Sequence, residues 1–245
     1  MMKYFFDLYE SLPRQGPGDN KSTKKAFQIL KNIPSTPKIL DIGCGRGMQT
    51  IELAKLSNGI VTALDNHQPF LDMISKDAKK EGLENRIICK NQSMLEMTFN
   101  EESFDIIWSE GALYFFGFKK GLDKLYSLLK KEGFLVFSEA VLFKEDIPDE
   151  VWDLWKDEYP DVGNIDKNLN LIKDNNFKLI DHFTLPKSSW FTYFYDPMKK
   201  EIKMLKEKYK DNIEALEIFN VSEHEIGMYD KYSDYFGYEF FIMKK

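Results

Sequence analysis

The sequence predicts an α/β fold in which helices cover both faces of a doubly wound, mostly parallel sheet. Three observations carry that expectation. Short apolar runs alternate with stretches of helical period from about residue 38 to residue 140. The first run, Lys38 to Ile42, leads into a turn containing Gly43, Gly45 and Gly47. The second, Ile60 to Asp65, ends in an acid about 20 residues past those glycines, where an open sheet presents ligand groups at the carboxyl ends of its strands.

Tyr4, Phe5, Phe6, Leu8 and Tyr9 recur at helical spacing, and prolines and glycines then break the chain over Leu12 to Gly18. Residues 1–20 are expected to be a packed arm or a lid over the ligand site. Asp19 or Ser22 caps a helix through Lys24 to Lys31, which Pro34 and Pro37 end. Amphipathic helices over Gln49 to Leu56 and Gln68 to Gly82 flank the second strand. Arg86 to Lys90 is the third strand, Phe104 to Glu110 the fourth, and Phe134 to Ala140 the fifth, with a helix over Gly121 to Lys131 before it. Beyond it, helices are expected over Pro148 to Tyr159 and Leu169 to Asn175, and a strand over Lys178 to Leu185. An aromatic patch, Trp190 to Tyr195, precedes a long polar helical region from Met198 to about Tyr235 and a last strand over Tyr238 to Met243. The insert at 186–236 is longer than a hairpin needs, so it is expected to cap the site or build an interface within a single domain, 1–245.

A chain of 245 residues, 43% apolar and 30% charged, suits one sizeable globular domain. A net charge of −6 argues against nucleic-acid phosphate as the main partner. No run has the length of a membrane span, and Met1 to Glu10 lacks the basic and apolar blocks of a signal peptide. Cys44 and Cys89 lie far apart, and neither they nor His67, His182 and His224 have metal-ligand spacing. A reduced, cytoplasmic compartment without a bound metal is expected, with a homodimer as an open option.

Two ligand chemistries compete for the glycine loop. A dinucleotide fingerprint needs its third glycine at position 48, which is Met48. Asp41 ends the first strand, and an acid at the mouth of the loop repels a pyrophosphate. The same acid favours S-adenosyl-L-methionine, which carries a sulfonium and an ammonium and no phosphate. The run D-x-G-x-G-x-G therefore reads as a methyl-donor loop. Asp65 sits where a carboxylate accepts hydrogen bonds from both ribose hydroxyls, with the amide of Asn66 beside it. Met94 offers adenine a polarizable surface and Ser93 a polar partner. Glu110 and Tyr114 follow the fourth strand, where they are best placed to see the transferring methyl or the acceptor.

The set Leu40 to Gly47, Asp65, Ser93-Met94, Asp105 to Glu110 and Lys131 to Phe134 resembles the class I S-adenosylmethionine-dependent methyltransferases. It is most similar to their small-molecule branch, typified by the ubiquinone and menaquinone biosynthesis enzymes. The resemblance implies a Rossmann-like, seven-stranded sheet with the last strand antiparallel between the fifth and sixth, in an α/β/α sandwich with a helical cap. It implies donor contacts from Asp41, Gly43, Cys44, Gly45, Asp65, Asn66, Ser93, Met94 and Ser109, although the acid often found at the position of Ser93 is missing. Arg14 to Gly18 is similar to a stretch ahead of the core in some bacterial members, which favours the lid and adds Gln15 to the set. The expected reaction is in-line methyl transfer to a small-molecule acceptor, with Tyr114 and Trp190 as pocket wall. If a proton must be removed, Glu110, Tyr114, His182 or Tyr195 could take it, and the sequence does not choose between them.

Overall fold

The computed structural model describes residues 2–156 and 159–245. Among these, eight strands form one sheet: β1 (Lys38–Ile42), β2 (Ile60–Asp65), β3 (Ile87–Asn91), β4 (Phe104–Glu110), β5 (Leu129–Leu142), β6 (Gly163–Asn164), β7 (Lys178–Thr184) and β8 (Phe236–Lys244). Their order is β3-β2-β1-β4-β5-β8-β7, with the two-residue β6 paired to the end of β5. β8 runs antiparallel to both its neighbours and the other pairings are parallel. The seven long strands thus take the expected order, and β6 is an addition.

The helices are α1 (Met2–Tyr9), α2 (Asn20–Ile29), α3 (Met48–Leu56), α4 (Gln68–Lys80), α5 (Phe118–Leu128), α6 (Asp149–Trp155), α7 (Ile165–Asp174), α8 (Ser188–Trp190), α9 (Asp196–Lys208) and α10 (Ile213–Tyr232). A π-helical turn, Phe191–Tyr195, joins α8 to α9. The inner strands β1, β2, β4, β5 and β8 are largely buried on both sides, so alternate residues enter different cores, while the edge strands β3 and β7 are partly exposed. Ile39, Val61, Ile106 and Trp108 pack with α2, α3, α4 and the insert. Leu40, Ile42, Leu64 and Ile107 pack with α5 and α7. This alternation decides where each site residue points.

Several boundaries differ from expectation for local reasons. Gly117, with φ of 74°, allows α5 to begin at Phe118. The fifth strand starts at Leu129, because Leu129 already pairs with Phe104 before a register shift near Ile106. Asn164 caps α7 by accepting from the Lys167 N–H at 2.8 Å, so that helix begins well before Leu169. Asp19 caps α2 through the Ser22 N–H at 2.8 Å. The long polar helix is two helices, broken before Asn212, whose side chain caps α10. The helix expected over Pro148 to Tyr159 is observed as Asp149–Trp155, and Asp157 and Glu158 lie outside the described residues. Among the described residues no helix is long and apolar enough to cross a membrane.

Candidate functional site

A cavity of about 730 Å³ opens at the carboxyl ends of β1 to β5, within the size range of small-molecule pockets. Gly43 and Gly45 border it with φ of 64° and 52°, a left-handed backbone that only glycine adopts without strain. The Gly43 and Cys44 N–H groups donate to the Leu64 carbonyl at 2.9 and 3.1 Å, which folds the loop back onto β2. A Cβ on Gly43 would stand 2.5 Å from the Ala112 Cβ and 3.1 Å from the Met94 Cε. The loop is therefore wedged between the ends of β3 and β4.

Asp65 holds the next layer. Its Oδ2 accepts from the Gly45 N–H and its Oδ1 from the His67 N–H, both at 2.9 Å. The half-buried carboxylate still borders the cavity, as do Asn66, Ser93 and Met94. The Ser93 Oγ accepts from the Leu95 N–H at 3.3 Å.

The N-terminal segment forms one wall. The Gln15 Oε1 accepts from the Arg46 N–H at 2.7 Å, and its Nε2 donates to the Tyr9 and Leu12 carbonyls. Gln15 thus ties the arm to the glycine loop, and a Cβ on Gly45 would lie 2.6 Å from its Oε1. Phe6 stacks on His67 with centroids 3.7 Å apart, and the His67 Nε2 lies 2.7 Å from the Glu10 carboxylate. Tyr209 donates to Asp7 at 2.6 Å and Asn212 to the Tyr4 hydroxyl at 2.8 Å, which fastens α1 to the insert.

Four expected roles meet a different geometry. Asp41 does not border the cavity. It shares the strand face of Ile39, so its buried side chain points under the loop towards α3 and accepts from the Thr50 hydroxyl at 2.5 Å. Burial pushes its carboxyl up to about 7, Glu110 adds to the rise, and Thr50, Gln49 and Arg14 oppose it. It is not the exposed acid expected at the mouth. Ser109 is likewise buried, donating to the Ile42 carbonyl at 3.1 Å, and bonds β4 to β1 instead of facing a ligand. Glu110 borders the cavity, but its carboxylate is committed to an ion pair with buried Arg14, to the Thr23 hydroxyl at 2.7 Å and to the Trp108 indole N–H at 2.8 Å. It anchors the arm and has little capacity left as a base. His182 lies on β7, bonded to Glu239 at 2.6 Å and outside the cavity lining.

Tyr114, Trp190 and Tyr195 do border the cavity. The Tyr195 hydroxyl donates to Glu225 at 2.8 Å, and burial followed by the Glu225 charge raises the phenol well above its ordinary value. That proton is held, not offered. Trp190 stacks on Tyr229 with centroids 3.9 Å apart and meets Tyr238 edge-on at 4.9 Å.

Two residues that the sequence reading did not single out stand in this lining. Arg14 Nη1 is buried without a hydrogen-bond partner among the described residues. Glu139, near the end of β5, is fully buried: its Oε1 accepts from the Ala140 N–H at 3.1 Å, while Oε2 has no partner among the described residues. Burial pushes its carboxyl up to about 8, against the pull of the Ala140 and Tyr114 backbone N–H groups. The available signal was an acid inside the apolar run Phe134 to Ala140.

The sign of the Glu139 shift gives a stability prediction. The folded protein keeps this proton up to about pH 8, whereas the unfolded chain releases it near pH 4. Glu139 therefore costs no stability below pH 4 and progressively more as pH rises to about 8. Relative to Glu139→Gln, the parent should lose about 1.4 kcal/mol per pH unit across that window. Denaturant melts from pH 5 to 8 measure it; parallel stability curves for the two proteins would contradict the assignment.

A family profile described as "Methyltransferase domain" matches residues 39–133, from β1 to the early part of β5. A sterol 24-C-methyltransferase of Gibberella zeae is 25% identical over 186 residues, covering 73% of this chain and 48% of that protein. A demethylmenaquinone methyltransferase of Lactobacillus johnsonii is 31% identical over 118 residues, covering 45% of this chain and 46% of that protein. The chain thus spans about half the length of these curated relatives. An S-adenosylmethionine-dependent methyltransferase of Geobacter sulfurreducens, solved with S-adenosyl-L-homocysteine, superposes with a TM-score of 0.85 at 17% identity, over 98% of this chain and 97% of that one.

Proposed function

We propose that this chain, a member of the class I S-adenosylmethionine-dependent methyltransferases by its fold and domain, moves a methyl group from S-adenosyl-L-methionine to a small-molecule acceptor. The observation that carries the reading is the Gly45–Asp65 hydrogen bond of 2.9 Å at the cavity edge. It fixes a bare-backbone loop beside a carboxylate, the pairing that the ribose of an adenosine ligand requires.

The residues fit this donor. Asp65 would take the ribose hydroxyls and Asn66 would stand beside them. Ser93 and Met94 would border the adenine, and the backbone of Gly43, Cys44 and Gly45 the methionyl part. The unpartnered Nη1 of Arg14 suits the donor's carboxylate. Gln15 contributes by holding the arm against the loop.

The donor supplies an electrophilic methyl on a sulfonium whose departure leaves a neutral thioether. The chain's own task is to align the acceptor with that methyl and exclude water. Tyr114 and Trp190 supply wall on the acceptor side. Residues 1–20 serve as the lid and residues 186–236 as the cap of a single domain. The excess of acids favours a small molecule over nucleic acid as acceptor. Cys44 and Cys89, both free thiols, support a cytoplasmic location.

Turnover tests this reading. Incubation with methyl-labelled S-adenosylmethionine and a cell metabolite extract should move label into a small-molecule product. Label that stays in the donor across extracts, with the donor bound, would favour a binding protein that keeps the fold.

A further inference from the structure

The lining of the cavity is unbalanced in charge. Its acids are Asp65, Glu110, Glu139 and Glu225. Its cationic side chains are Arg14 and, when protonated, His67, which already face Glu110 and Glu10. Among the described residues Glu139 therefore meets no cation in the lining, and its Oε2 meets no donor either. A buried acid in this state is costly, and such groups in folded proteins call for an explanation by a ligand or by chemistry.

The surroundings specify the ligand. Tyr159 and Tyr238 line the same cavity as Glu139, and Tyr238 pairs across the sheet with Ala140, the next residue along β5; burial first, and then the Glu139 charge, raise both phenols. Tyr114 lines this cavity too, and the Tyr114 and Tyr159 rings lie 5.7 Å apart. Trp190 packs against Tyr238, and Trp155 and Trp190 both pack against Phe236. Aromatic faces around a carboxylate attract a cation by quadrupole and by charge together. Glu139 lies near the end of β5, two strands from the glycine loop on β1 with β4 between. It thus stands on the acceptor side of the sheet.

We propose that this end of the cavity is an acceptor subsite for an amine, seated on Glu139 inside the ring of Tyr114, Tyr159 and Tyr238, and that nitrogen is the atom methylated. The inference rests on the methyl-transfer reading above. Entry of the ammonium displaces to solvent the proton that Glu139 otherwise keeps, and the ammonium then gives one of its own protons to the Glu139 carboxylate, which frees the nitrogen lone pair. That pair forms the N–C bond to the methyl carbon while the S–C pair departs with sulfur. The product is the methylated ammonium, the sulfur is left neutral, and Glu139 releases its proton to solvent as the next ammonium enters. A carboxyl that burial has brought to about 8 is well matched to this exchange.

The test uses the full chain saturated with S-adenosyl-L-homocysteine, titrated with 2-phenylethylamine, tryptamine and cyclohexylamine and with the alcohol corresponding to each. At least one amine should bind about tenfold or more tightly than its alcohol, the worth of one charge-assisted hydrogen bond. Glu139→Gln should keep its affinity for S-adenosyl-L-homocysteine and lose the amine preference, and Glu139→Asp should weaken it. Equal binding of amines and alcohols, no binding of any amine to the loaded protein, or a preference that survives in Glu139→Gln would overturn the proposal. The comparison of amine with alcohol needs no variant, so it stands even if a substitution fails to fold. Failure of S-adenosyl-L-homocysteine itself to bind would count against the donor reading, a separate result.

Discussion

Replacing Asp65 by alanine should weaken S-adenosyl-L-homocysteine binding by about 3 kcal/mol or more, a factor of roughly a hundred in Kd. Two charge-assisted hydrogen bonds to the ribose would be lost, and the Gly45 and His67 N–H groups would lose their acceptor as well. Both losses act on one side of the pocket, so the loop end loosens as the ligand contacts vanish. Asp65→Asn, which keeps one oxygen for Gly45, should fall between the parent and the alanine variant. Calorimetry on folded protein reads the difference, and unchanged affinity in Asp65→Ala would sink the ribose assignment.

Arg14→Ala should cost about 3–5 kcal/mol of folding stability, the range for breaking one partner of a buried ion pair. Glu110 would keep the Thr23 hydroxyl and the Trp108 N–H, two neutral donors that cannot balance a buried charge. The pair joins residues 96 positions apart, so its loss also releases the arm from the end of β4. Adding Glu110→Gln to Arg14→Ala removes the stranded charge and should restore a large part of the loss. A double-mutant cycle in denaturant measures this coupling. Additive effects, or a single-variant cost below about 1 kcal/mol, would show that the pair is not the anchor.

The strands β1, β2 and β5 were legible because each carries an apolar run bounded by glycine, proline or an acid. Their order was legible through the resemblance, since local pattern alone cannot choose among sheet orders. Asp41 was misplaced because a strand buried on both sides shows no polar face in its pattern. The residue at its carboxyl end can turn into the loop or beneath it, and parity with Ile39 sends it beneath. The role of Glu110 depends on Arg14, and that of His182 on Glu239, 57 positions away. Such partners are invisible without the fold. Glu139 was visible as a misfit in an apolar strand, but its meaning required knowing that β5 ends at the cavity. The glycine turn and Asp65 could be read because loop and acid belong to adjacent strands.

In the proposed function the loop at Gly43 to Gly47 holds a sulfonium donor and not a dinucleotide. Calorimetric titration of the full chain with S-adenosyl-L-homocysteine and, separately, with NADH tests it most directly. Saturable one-to-one binding of S-adenosyl-L-homocysteine is expected, and none of NADH. Binding of NADH with no heat from S-adenosyl-L-homocysteine would contradict it.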